Sequence, residues 1–183
     1  MRWPGAEVVI LSVLLLACSQ STGGRSKTAA AGAVATQRAG TSACDAPGLV
    51  WKTGSKTTFT SYPAPGSEEC IKYSGCQYEG QFAGCDKTKP LTWVMSHDIV
   101  AAFPDFTALK LHDLCLKSST GKTIVVTVLD TCGDSDCGGC CTENKGTATE
   151  LIDVESFTDK RWGVPDGPIQ WADLGPTKSS GCE

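Results

Sequence analysis

Eleven cysteines in 183 residues constrain this chain more than any other feature, because so many sulfurs persist only where the surroundings oxidise them or a metal holds them. With Cys18 set aside as a processing residue, ten remain: Cys44, Cys70, Cys76, Cys85, Cys115, Cys132, Cys137, Cys140, Cys141 and Cys182. An even set permits five disulfides, and the sequence leaves their pairing open. An oxidising compartment implies export. Cys137 and Cys140 have the spacing of zinc ligands, but a zinc site ordinarily draws on a second pair at similar spacing, and exported thiols oxidise. Disulfides are therefore expected, with no metal and no cofactor.

The N-terminus agrees with export. Arg2 precedes an apolar run, Val8 to Leu16, that has the length of a signal-peptide core and is too short to span a bilayer. It ends in Leu15-Leu16-Ala17-Cys18, which resembles a bacterial lipobox, so residues 1–18 read as a lipoprotein leader with Cys18 as the lipidated residue. Ordinary cleavage after Ala17-Cys18-Ser19 is the alternative, and would give a freely secreted protein. Residues 19–43 are mainly Ser, Thr, Gly, Ala and Gln, too poor in large apolar groups to offset the entropy of ordering them. They read as a flexible tether, which leaves residues 44–183 as one domain.

A net charge of −4 without any Lys/Arg cluster lacks the footprint that a phosphate backbone demands, so nucleic acid is not an expected partner. Twenty Gly and nine Pro, with many Thr and Val, suit short strands and tight turns. Strands are expected over 56–62, 91–95, 109–117, 122–130, 149–154 and 167–172, with short helices over 98–103 and 155–161 and a stapled loop over 70–89. Six short strands favour closure, because a closed barrel has no free edge.

Asp130 and Asp153 each stand at or near the end of an apolar β-run. A carboxylate there meets solvent beside apolar neighbours, which raises its pKa and suits it to proton transfer, although capping a turn is the commoner use of such an Asp. Three segments carry a resemblance: Thr127-Val128-Leu129-Asp130-Thr131-Cys132; Leu151-Ile152-Asp153-Val154-Glu155 with Phe157 after it; and Asp166-Gly167-Pro168-Ile169-Gln170-Trp171. In order and spacing they resemble the barrel motifs of expansins, and Thr58-Phe59-Thr60 is similar to the first strand of that family.

The resemblance implies an all-β, six-stranded double-psi β-barrel, shared with barwin, rare lipoprotein A and the endoglucanases of glycoside hydrolase family 45. It implies that Asp153 matches the aspartate required for wall loosening and the general acid of the endoglucanases. Asp130 matches the second aspartate of the groove and Thr60 a threonine lining it. Tyr62, beside Thr60, is the aromatic expected in the groove, and Trp171 of the last strand is a further candidate for stacking on sugar, whereas Trp93 is expected in the core. The endoglucanases carry their catalytic base on the first strand, where this chain has Thr60-Ser61-Tyr62, so hydrolysis by two carboxylates is not expected.

The function implied is that of an exported, expansin-like protein that binds cell-wall polysaccharide, a β-glucan or peptidoglycan, and loosens it without hydrolysis. It would be a monomer that meets the membrane through its lipid anchor alone. Two alternatives stay open: glycan cleavage by a lytic transglycosylase or hydrolase, and a barwin-like binding or protease-inhibitor module.

Overall fold

The computed structural model describes residues 43–178 and 181–183. The expected leader, Cys18 and the tether as far as residue 42 lie outside the described residues. Among the described residues no helix is long and apolar enough to cross a membrane.

Six strands, β1 (Lys52–Phe59), β2 (Ile99–Phe103), β3 (His112–Ser118), β4 (Thr123–Thr131), β5 (Glu150–Glu155) and β6 (Gly167–Pro176), close in the order β1-β5-β2-β4-β3-β6. The pairs β1/β5 and β2/β4 are parallel and the other four are antiparallel. The chain is thus the mixed, six-stranded double-psi barrel expected from the sequence, with short helices and stapled loops. The helices are α1 (Glu68–Ile71), α2 (Leu91–Val94), α3 (Phe106–Leu109), α4 (Asp134–Cys137), α5 (Cys140–Lys145) and α6 (Ser156–Trp162).

Alternation along each strand sorts its side chains between the two faces. Val100 and Ala102, Leu114 and Leu116, Val126 and Val128, Ile152 and Val154, and Ile169 and Trp171 fill the barrel, and Trp162 joins them from the end of α6. A second cluster of Phe82, Val94, Ile99 and Leu129 forms on the opposite face of β2 and β4, with Phe59, Tyr62, Trp93 and Phe157 packed against it. This outer cluster fastens the long excursion between β1 and β2 to the barrel wall.

The ten cysteines pair as Cys44–Cys115, Cys70–Cys76, Cys85–Cys182, Cys132–Cys141 and Cys137–Cys140. Five disulfides fit an extracellular, oxidising compartment. Cys44–Cys115 closes a span of 71 residues and ties the start of the domain to β3.

Several elements differ from expectation. Residues 91–94 form helix α2, capped by Met95, where a strand was expected over 91–95, because five residues are too few for hydrophobic period to separate the two. Only Val94 of this segment is buried, while Leu91 and Met95 are exposed. Residues 98–103, expected as a helix, supply β2. Ile99, Val100, Ala101 and Ala102 are all buried, and a strand covered on both faces reads as an unbroken apolar run without alternation. The strand expected over 109–117 starts only at His112, since helix α3 ends at Leu109 and Leu111 adopts a left-handed φ of 61°. β1 runs earlier than expected, so Thr60, Ser61 and Tyr62 lie past its end.

Candidate functional site

One row of residues across four neighbouring strands carries the site. Thr57 of β1 pairs with Asp153 of β5, Asp153 pairs with Ala101 of β2, and Ala101 pairs with Asp130 of β4. On β5 and β2 the inward residues are Ile152 and Val154, and Val100 and Ala102. Asp153 and Ala101 therefore point outward. On β4, plain alternation from Val126 and Val128 would send Asp130 inward. The register shifts between Val100 and Ala101, however, so that Val128 pairs with Val100 while Asp130 pairs with Ala101, and Leu129 is the surplus residue of a bulge. Bulges re-aim side chains in this way. Asp130 thereby joins Asp153 on the outer wall, with only a methyl group between them. Two strand spacings put their Cα atoms about 10 Å apart.

The bulge is braced by the loop that crosses it. The Gly84 N–H donates to the carbonyl of Leu129 at 2.7 Å, and the Ala83 N–H donates to Oδ1 of Asp130 at 3.0 Å. Gly84 has to be glycine, since a Cβ there would sit 2.7 Å from the Leu129 carbonyl oxygen. Burial raises the pKa of Asp130, and the Ala83 and Thr131 N–H groups oppose it.

Asp153 is half-buried. Burial is the main cause that pushes its pKa up to about 7, and the negative charges of Asp166 and Glu69 add to it. The Thr57 hydroxyl, which donates to Oδ1 of Asp153 at 2.8 Å, and the Lys56 ammonium pull the other way. Near neutral pH this carboxyl group exchanges between its donor and acceptor forms, as a general acid or a hydrogen-bond switch requires.

A cleft of about 730 Å³ opens at the Asp130 end of the row, lined among others by Lys72, Tyr73, Tyr78, Phe82 and Lys87. Its aromatic walls are presented to solvent, Tyr78 being 60 % and Tyr73 37 % exposed. The Cys70–Cys76 disulfide pins the turn that carries Lys72, Tyr73 and Ser74, so a polar, stapled loop supplies one side of the cleft.

The other residues singled out in the sequence fall elsewhere. Trp171 is in the barrel core at 1 % exposure, where its ring packs under Gly54 and its indole N–H donates to the Thr53 carbonyl, so it offers no face to a sugar. Alternation on β6 from Ile169 sends it inward, and that parity was legible. Tyr62 packs against the outer cluster and donates its hydroxyl to the Lys89 carbonyl, bracing the loop rather than lining the cleft. Thr60 lies past the end of β1, and Thr57 holds the place beside Asp153. Trp93, expected in the core, is half-buried against the outer cluster with its indole N–H on the Glu183 carbonyl.

Sequence reasoning missed a charge network beside the row. Lys56 is 1 % exposed, and its Nζ lies 2.6 Å from Asp166 and 2.7 Å from Asp159. Thr58 donates to the same Asp166 oxygen at 3.1 Å. A lysine in a Thr-rich strand carries no local sign of burial; only the closing of α6 and the start of β6 over it brings the two aspartates together.

No protein-family model matches the chain, and no curated protein matches it. Among solved structures, a mutant of the GH45 endoglucanase EG27II in complex with cellobiose is similar with a TM-score of 0.43 and 9 % identity, over 70 % of this chain and 84 % of that one. A likeness of that degree transfers no substrate and no residue role.

Proposed function

We propose that the chain is an exported, expansin-like protein that binds β-linked cell-wall glycan and loosens it without hydrolysis. The supporting observation is the row in which Asp153 and Asp130 flank Ala101 on one outer wall, beside a cleft with exposed tyrosines. Protonated Asp153 donates a hydrogen bond to the glycan, and Asp130 and the tyrosines hold the neighbouring sugars. The residue that faces Asp153 from β1 is Thr57, a hydroxyl and not a carboxylate. It can orient Asp153 but cannot take a proton from water, which favours loosening over cleavage.

Co-sedimentation with purified cellulose and with peptidoglycan, for wild type and Asp153→Ala, tests this reading. Wild type is expected to bind at least one polymer, and Asp153→Ala to bind it about tenfold more weakly, the worth of one hydrogen bond to a strongly polar group. Equal binding by both proteins, or binding by neither, refutes it. Product analysis separates the alternatives: new reducing ends mark a hydrolase and anhydro ends a transglycosylase.

A further inference from the structure

The network around Lys56 holds one ammonium and two carboxylates. Nζ of Lys56 donates to Oδ1 of Asp166 at 2.6 Å and to the Thr58 hydroxyl oxygen at 3.1 Å, and it lies 2.7 Å from Oδ1 of Asp159. A buried ammonium requires a counter-charge, and Asp159 supplies it from α6. Asp166 is a second carboxylate on the same lysine, and its side chain is 58 % exposed. The network is thus left with one negative charge, which stands at the surface on Asp166.

Asp166 is held by one oxygen only. Its Oδ1 accepts from Lys56 and from the Thr58 hydroxyl, while Oδ2 has no partner among the described residues. Because Thr58 accepts from Lys56 and donates to Asp166, the three side chains close a ring that fixes the carboxylate in place. The β1/β6 ladder ends at Lys56 with Gly167, so Asp166, one residue earlier in the chain, comes level with Thr57. Thr57 therefore stands between Asp153 on β5 and Asp166 at the entry to β6, and the negative charge of Asp166 reaches Asp153. The row of Asp130, Ala101, Asp153 and Thr57 continues to a fifth position. A surplus carboxylate beside a half-buried carboxyl group opposes folding. A pinned, exposed acceptor with a free oxygen is what a preorganised binding site needs.

We propose that Asp166 is a further glycan contact, one step beyond Asp153, whose free oxygen accepts hydrogen bonds from the hydroxyl groups of the next sugar, with Lys56 and Thr58 as the positioning residues that hold it there. This inference rests on the glycan reading of the row and extends it by one contact. Protonated Asp153 is a donor and Asp166 an acceptor, so the two meet successive parts of the chain with opposite hydrogen-bonding character. The unit at Asp166 is an uncharged sugar with free hydroxyls.

Co-sedimentation of the full chain with cellulose and with peptidoglycan, comparing Asp166→Ala with Asp159→Ala, tests this. Each variant leaves Lys56 a single carboxylate, so a network that is only structural responds alike to both. Asp166→Ala is expected to weaken binding about tenfold for whichever polymer wild type takes up, the worth of one hydrogen bond to a charged group. In Asp159→Ala the carboxylate of Asp166 stays pinned by Lys56 and Thr58, and binding should remain at the wild-type level. Asp166→Asn keeps an oxygen for Lys56 and Thr58, and covers the case in which an alanine variant fails to fold. It should denature at the wild-type midpoint and bind more weakly than wild type. Equal weakening by the two alanine variants, or wild-type binding by Asp166→Ala or by a folded Asp166→Asn, refutes the contact and leaves the glycan reading in place. Wild type that sediments with neither polymer refutes the glycan reading, and this inference with it.

Discussion

Glu150 opens β5 with its side chain fully buried. Its Oε1 accepts the Asp105 N–H at 3.0 Å, while Oε2 has no hydrogen-bond partner. Burial is the main cause that moves its pKa from 4.5 up to about 7, with Asp105 adding to the shift and the Asp105 N–H, Lys52 and Lys145 opposing it. The folded state therefore holds this proton more tightly than the unfolded chain does. Its contribution to stability is complete below the unfolded value, falls as pH rises from 4.5 towards 7, and is gone above. The difference between the two values corresponds to about 3 kcal/mol. Glu150→Gln keeps an acceptor for the Asp105 N–H and cannot ionise. Chemical denaturation with the disulfides intact, at pH 4.5, 6 and 8, should find variant and wild type equal at the lowest pH. At pH 8 the variant should be more stable by about 3 kcal/mol. Parallel pH profiles for the two proteins would refute the reasoning, as would a Gln variant destabilised by the same amount at every pH.

Asp153 should make glycan binding pH-dependent: the donor form prevails below about 7, so co-sedimentation should fall as pH rises through that value. Thr57→Val removes a hydroxyl that favours the ionised form, and the midpoint of the profile should move to higher pH; a shift to lower pH contradicts the assignment. Replacing Cys44 and Cys115 with Ala opens a 71-residue span and should cost about 4 kcal/mol by loop-closure entropy, measurable by denaturant titration.

The parts of the fold that were legible are those where local pattern and tertiary environment agree. Thr123–Thr131 is β-branched and apolar and becomes β4, and Glu150–Glu155, with Leu151, Ile152 and Val154, becomes β5. The segments 91–95 and 98–103 were exchanged because the outer cluster overrides their local preference. It covers the second face of β2 and so removes the alternation by which a strand is recognised. Asp130 and Asp153 were found through their motifs, but their common orientation was not readable: it depends on pairing β2 with both β4 and β5. Thr57 replaces Thr60 because β1 starts four residues earlier than its β-rich run suggests, at Lys52. The cleft-lining Tyr73 and Tyr78 sit in a polar loop with no periodicity, where only the Cys70–Cys76 staple marks a fixed conformation.

The surplus Leu129 lets two successive residues of β4 face the same outer side, an apolar one that grips the crossing loop and a carboxylate beside it. Its removal would leave Asp130 directly after Val128, where plain alternation still aims the carboxylate outward, but would take away a side chain of the outer cluster and the carbonyl that accepts the Gly84 N–H. A one-residue deletion there separates the aim of the aspartate from the anchoring of the loop that walls the cleft.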